Sequence, residues 1–214
     1  MMNYDLSKTE AELKKRLSYP YRWGRMQNDY FDRLTDFIYR ISEFNAVINE
    51  IEKRFSNDKN HKNVANYALN RWYNFWSAQA MEMIFCSLPD VIPALDEKDR
   101  LVDFTIRGIS SDLKTTIYPE KYPHSIEEAL KNKAELIKWL YINQSRQKRK
   151  HFKNRIFIVL YSSDGEHWKL KSEISWLKEI IENYVAKFDP ENLIEFSFLK
   201  EEKTLSDIIW AIKN

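Results

Sequence analysis

Residues 101–117 constrain the fold more than any other stretch. Leu101-Val102-Asp103-Phe104-Thr105-Ile106 alternates apolar and polar side chains up to Arg107-Gly108, and a second alternating run leads from Ile109 to Ile117. Strand side chains point to opposite faces in turn, so Val102, Phe104 and Ile106 share one face and Asp103 and Thr105 the other. On the second run Ile109, Leu113 and Ile117 share the apolar side, and Asp112 and Lys114 the polar one. A hairpin folded about Arg107-Gly108 puts Ile106 against Ile109, Val102 against Leu113, and Asp103 opposite Asp112. A four-residue loop centred on the same bond gives the same pairing. The longer loop is favoured, because Arg107 fits poorly at a first central position that wants a positive φ. Directly opposed carboxylates repel and weaken a sheet. A chain that puts them there, with Lys114 two residues on, is expected to hold a cation between them.

Composition narrows the chemistry around that hairpin. At 214 residues, 43% hydrophobic and 31% charged, the chain has the make-up of a globular protein with a real core. No run approaches the ~20 apolar residues needed to span a bilayer, and Met1 to Glu12 lacks a signal-peptide core, so a cytoplasmic protein is expected. The single cysteine, Cys86, excludes an internal disulfide framework and a thiolate zinc cage. Its neighbours Ile84, Phe85 and Leu88 favour a buried, inert thiol over a nucleophile. The three glycines are isolated, which leaves neither a phosphate-cradling loop nor a dinucleotide fingerprint. His61, His124, His151 and His167 are dispersed, without zinc spacing.

Charge is distributed unevenly. From Lys138 to Arg155 there are seven Lys/Arg side chains and no acid. Such a block is a candidate phosphate-binding surface. Gln144, Arg146, Lys148, Arg149, Lys150, His151, Lys153, Asn154 and Arg155 are its candidate nucleic-acid contacts.

Periodicity supplies the frame. Ser7-x-x-Glu10 reads as a capping box opening a short helix to about Leu17. Three-four spacing from Phe31 to Phe55 predicts one long amphipathic helix over about 28–55, which packs on the core or pairs with a second copy. A further helix is predicted from about Asn63 to Ser87, with Glu82 an acid inside the apolar run Met81 to Phe85. Pro89 and Pro93 end it, and Val91 to Leu95 has the composition of a short strand. After the hairpin, Ser125-x-x-Glu128 caps a helix to about Gln144. Ile156 to Tyr161 reads as a strand buried on both faces. A helix about Leu170 to Val185 and a strand over Leu193–Leu199 follow, and Thr204-x-x-Asp207 is read as the cap of a last short helix. The order implies an α/β (α+β) fold with a mixed sheet flanked by helices.

A helix bearing Glu82, a strand bearing Asp103, a hairpin and then Asp112-Leu113-Lys114 resembles the PD-(D/E)XK nuclease superfamily of restriction endonucleases, junction resolvases and exonucleases. The resemblance spans about Asn63 to Tyr161. It implies a restriction-endonuclease-like αβββαβ core over residues 61–214 with C-terminal αβα additions. Residues 1–60 would be an N-terminal helical extension that packs on the core or dimerises with it. It further implies that Asp103 and Asp112 bind Mg²⁺ (or Mn²⁺), with Glu82 as an additional helix acid, and that Lys114 positions or activates the attacking water. The motif's proline is replaced by Val102, and a literal Pro89-Asp90 stands upstream as a second candidate for the first acid; the pairing argument selects Asp103. The expected activity is Mg²⁺-dependent cleavage of double-stranded DNA, in host defence before repair, by a homodimer. A non-catalytic nucleic-acid-binding protein of the same fold, or a protein-interaction module, are the alternatives.

Overall fold

The structure, a computed structural model, describes residues 5–23, 29–94, 102–143, 152–199 and 202–214. It divides into two compact units, one formed by residues 1–81 with 171–176 and the other by 82–170 with 177–214. No helix among the described residues is long and apolar enough to cross a membrane.

The first unit is helical: α1 (Leu6–Lys15), α2 (Asp29–Leu34), α3 (Phe44–Phe55) and the greater part of α4 (His61–Cys86). The predicted capping box at its start is not what opens α1. Asp5 is the N-cap and accepts from the Lys8 N–H, while Glu10 accepts from the Ser175 N–H at 2.8 Å. The single helix expected over 28–55 is broken. After α2 the chain makes a 3₁₀ turn at Asp36–Tyr39 and restarts at Phe44. The cause lies in α4, whose indoles capture carbonyls that a continuous helix would need. Trp72 Nε1 donates to the Ile41 carbonyl at 2.6 Å and Trp76 Nε1 to that of Ile38 at 3.0 Å. The Phe44 N–H, left at a new helix start, is satisfied by the Glu12 carboxylate at 2.7 Å. Phe31, Phe37, Ile38, Phe44, Val47, Ile51 and Phe55 are all buried, so the stripe is used within the chain.

The second unit is a six-stranded mixed sheet with helices. After the last turn of α4 come β1 (Val91–Pro93), β2 (Phe104–Ile106), β3 (Ile109–Ile117), α5 (Ile126–Lys131), α6 (Lys133–Asn143) and β4 (Arg155–Ser162). Then follow a 3₁₀ turn at His167–Ser172, α7 (Ile174–Ala186), β5 (Ile194–Leu199) and β6 (Glu202–Lys213). The strand order is β1-β2-β3-β4-β6-β5. Strands β1, β2 and β3 form an antiparallel meander, β4 runs parallel to both β3 and β6, and β5 closes the far edge antiparallel to β6. The predicted capping box Ser125–Glu128 is present in full and opens α5.

β4 is the centre of the core: Ile156 to Leu160 are at most 1% exposed, as expected for a strand covered on both faces. On one face Leu136, Ile137, Leu140 and Tyr141 of α6 pack with Phe157 and Val159. The last helix expected at Thr204–Asp207 is instead part of β6, so the C-terminal additions are αββ and not αβα. Thr204 to Ser206 pair with β5 and Ser206 to Lys213 with β4, and this sheet pairing overrides the local cap-like spacing. Thr204 Oγ1 donates to the Phe152 carbonyl, a contact across the sheet and not along a helix.

The hairpin uses the shortest turn. Ile106 pairs with Ile109, with Arg107 at φ 44° and Gly108 at φ 84° between them. The four-residue loop expected from Arg107's dislike of positive φ is therefore not adopted. The arginine is held there by its own side chain, whose guanidinium donates to the Phe188 carbonyl and lies 3.6 Å from the Asp90 carboxylate.

Candidate active site

The register of the hairpin decides which acids meet. The ladder Ile106↔Ile109, Thr105↔Ser110 and Phe104↔Ser111 is the expected one, and the Thr105 and Ser110 hydroxyls touch at 2.9 Å on the polar face. One residue further the pattern changes. The Asp103 N–H donates to the carbonyl of Ser111, the residue already paired with Phe104. Two residues of the incoming chain thus face one of β3, as in a β-bulge. Asp103 is therefore not a regular cross-strand partner of Asp112. The other edge of Asp103 remains in the meander, its carbonyl accepting from the Ala94 N–H at 3.0 Å.

The slip turns the Asp103 carboxylate into the sheet. It accepts from the Leu113 N–H at 2.6 Å, replacing the backbone acceptor that a continued β2 would have supplied. Burial pushes its proton affinity up, the Leu113 N–H opposes that, and the Asp112 carboxylate adds to it; Arg155 and Lys114 act in the opposite sense. Asp103, Asp112, Lys114 and Arg155 therefore form one electrostatic neighbourhood, although the regular pair predicted for the two aspartates is absent.

Asp112 is fixed by β3 and β4 together. Its backbone N–H donates to the Asn154 carbonyl at 3.0 Å, and its Cα partner in the parallel ladder is Arg155. Arg155 Nε donates to Asp112 Oδ2, and the two side chains are only 19% and 18% exposed. The guanidinium also lies 5.3 Å from the Tyr141 ring centroid and 5.7 Å from that of Phe157. Lys114, two residues along β3 and on the same face as Asp112, is exposed.

Glu82 enters from the helix. The Phe85 and Phe104 rings stack at 4.5 Å with an interplanar angle of 16°, which docks the last turn of α4 on β2. Cys86, on that turn, has its thiol pushed up to about 11 by burial first, and then by the carboxylates of Glu82 and Asp103. The charges of both acids are thus felt at this thiol. The thiol is half-buried and not fully buried as expected, and the raised proton affinity keeps it in the less reactive protonated form. Asp90 is elsewhere: it sits at the start of β1 beside the turn, paired with Arg107.

Gln144, Arg146, Lys148, Arg149, Lys150 and His151, six of the nine candidate nucleic-acid contacts, lie outside the described residues. Of the others, Asn154 has its amide engaged on both sides, donating to the Ser110 carbonyl at 3.2 Å and accepting from the Leu205 N–H at 2.8 Å. Lys153 is 3.9 Å from Glu202, both more than half exposed. Ser110, Lys153, Asn154 and Glu202, with Val102, Phe152 and Lys203, line a cleft of about 460 Å³.

The donor chemistry suits a hard cation. Mg²⁺ takes oxygen ligands, is content with one or two protein carboxylates and keeps several waters. Asp103 and Asp112 offer such oxygens, on the condition that Arg155 gives up Asp112. No group of three or more His, Cys, Asp and Glu side chains among the described residues is arranged to hold a metal ion. The pairing of Asp112 with Arg155 is invisible to local sequence reading, because it arises from a parallel register set across a helical crossover. No protein-family model, curated protein or solved structure matches the chain.

Proposed function

We propose that this chain is a metal-dependent phosphodiesterase that cuts DNA, built on a restriction-endonuclease-like αβββαβ core. The observation that carries the reading is the convergence at the β2–β3 parting: a carboxylate of raised proton affinity, Asp103, beside Asp112 and Lys114. The order α4, β1, β2, β3, α5–α6, β4 supports it, as does the Phe85–Phe104 stack that brings the Glu82 turn to β2. Asp103 and Asp112 would hold the ion, with Glu82 as a further oxygen donor. Mg²⁺, or Mn²⁺ in its place, supplies phosphate polarisation and a nucleophile at neutral pH when bound. The chain's own part is to hold the ion's ligands close together, Asp112 on β3 and Asp103 just before β2. Lys114 is a compact ammonium that can orient the attacking water or offset charge on the phosphorus. Lys153, and the basic run before it, would track the DNA backbone. Host defence is the favoured setting and a homodimer the favoured form, since a double-strand cut needs two such sites.

One observation favours a second reading. Asp112 is already neutralised by Arg155, which would suit a protein that keeps the fold and binds nucleic acid without cutting it. A protein-interaction module with incidental acids is the third possibility, and the same assay separates all three. Purified protein is incubated with supercoiled plasmid and Mg²⁺, beside an EDTA control and the Asp112→Ala variant. The nuclease reading expects nicking that EDTA abolishes. The variant should lose more than about a hundredfold in rate, equivalent to several kcal/mol of transition-state stabilisation. Salt-sensitive binding without cleavage supports the second reading. Absence of any DNA binding leaves the third.

A further inference from the structure

We propose that Arg155 couples DNA binding to metal binding. In the free protein its guanidinium occupies Asp112, and a DNA phosphate draws it off and releases that carboxylate to the ion. The proposal rests on the nuclease reading and adds to it an order of binding and a role for a particular residue.

Three features point to this exchange. The first is competition for one atom set: Arg155 Nε donates to Asp112 Oδ2, and the same carboxylate is a proposed ligand of the cation. Guanidinium and divalent ion cannot both have it in full. The second is environment. The pair is shielded, with each side chain less than one-fifth exposed, so solvent alone competes weakly for either partner. A phosphate competes well, because the planar guanidinium matches its oxygens in two-point geometry and is itself only weakly hydrated.

The third feature is position. Arg155 opens β4 directly after Lys153 and Asn154, at the end of the basic run, where DNA backbone would arrive. The faces of Tyr141 and Phe157 lie beside its guanidinium and give it an aromatic support. Removing Arg155 from Asp112 would leave Asp103 and Asp112 as neighbouring carboxylates with one local cation fewer. A divalent ion then becomes the favoured replacement. Metal thus binds where a phosphate is already present. By linkage, the factor by which DNA raises metal affinity equals that by which metal raises DNA affinity.

The test measures Mn²⁺ binding directly, by the loss of the free-ion EPR signal on titration, and needs no turnover. Wild-type protein is titrated alone and with a short phosphorothioate DNA duplex that resists cleavage, the uptake by the duplex alone being subtracted; Arg155→Gln and Asp112→Asn are titrated in parallel. The expected result is weak binding by the wild type alone, strengthened about tenfold or more by the duplex. Arg155→Gln should bind Mn²⁺ tightly without duplex and gain little from it, and Asp112→Asn should bind weakly throughout. Equal Mn²⁺ affinity of the wild type with and without duplex overturns the coupling and leaves the nuclease reading standing, and this comparison needs no variant to fold. Failure of the wild type to take up Mn²⁺ in either state overturns both.

Discussion

The Leu113 N–H donates to the Asp103 carboxylate at 2.6 Å, ten residues away along the chain and across the opening of the hairpin. That bond closes β2 where its backbone pairing ends, so Asp103 serves the fold and the candidate site with the same oxygen atoms.

Replacing Asp103 by Asn separates the two duties. The amide oxygen can still accept from Leu113, but the group no longer ionises. Burial raises the proton affinity of this carboxyl in the folded chain. Between the ordinary aspartate value and the raised one, the folded state binds more protons than the unfolded state. Its contribution to stability is therefore present at low pH and is lost as pH rises through that window. Asp103→Asn should flatten that dependence, match or exceed wild-type stability at neutral pH to within about 1 kcal/mol, and abolish cleavage. Urea denaturation at acid and neutral pH, with a plasmid assay, checks it. A large loss of stability at neutral pH would show that the ionised carboxylate is needed by the fold.

Cys86 reports on the geometry of Glu82. Its thiol, pushed up to about 11, is almost wholly protonated at neutral pH, and thiolate is the reactive form. Ellman's reagent should react slowly with the native protein at pH near 7 and at once after denaturation. Because Glu82 and Asp103 both raise the thiol, Glu82→Gln should shift the pH–rate curve for alkylation downwards, and Asp103→Asn should do so to a smaller extent. An unchanged curve in Glu82→Gln would place that acid away from Cys86, and so away from Asp103.

Asp90 and Asp103 are both permitted by spacing as the first acid, and only one stands near Asp112. Asp90 forms an exposed pair with Arg107 at the turn, its side chain 55% exposed. Exposed pairs contribute little. Asp90→Ala should leave plasmid cleavage at the wild-type rate and stability within about 0.5 kcal/mol, as read from the urea midpoint. Loss of cleavage with stability intact would transfer the proposed metal-ligand role from Asp103 to Asp90.

The alternation that makes the hairpin, its Ile106–Ile109 register, the buried strand at Ile156 and the Ser125 cap are legible locally, whereas the equally local Ser7–Glu10 box gives way to Asp5 as the N-cap of α1. What else failed was decided at long range. The break in the helix over 28–55 is imposed by Trp72 and Trp76, residues some thirty positions away that no window on that stretch contains. The positive φ of Arg107 is sustained by the Phe188 carbonyl, and the strand at Thr204–Asp207 by pairing with β5 and then β4. The candidate site shows the same division. Asp103, Asp112 and Lys114 share a local pattern and could be named from it. The slip at Asp103 and the ion pair of Asp112 with Arg155 depend on where two other strands begin.

Asp207, expected as part of a helix cap, is instead a junction beneath the sheet, and its partners can be tested one at a time. Its carboxylate accepts from Lys133 Nζ at 2.7 Å, from the Ile208 N–H at 2.8 Å and from the Tyr184 hydroxyl at 3.2 Å. Burial and then the adjacent carboxylate push the Tyr184 phenol well above its ordinary range, so it stays protonated and donates. Tyr184→Phe removes one neutral donor from an acceptor that keeps two others, and should cost about 0.5–1.5 kcal/mol. Lys133→Met removes the countercharge of a carboxylate on a residue only 7% exposed, and should cost more, roughly 1–3 kcal/mol after allowing for the partly exposed lysine. The double variant should depart from additivity, because the two donors share one acceptor. Urea midpoints of the four proteins decide it: strict additivity, or a smaller loss in Lys133→Met than in Tyr184→Phe, would mean that Lys133 and Tyr184 do not act on the Asp207 carboxylate as one junction led by the lysine.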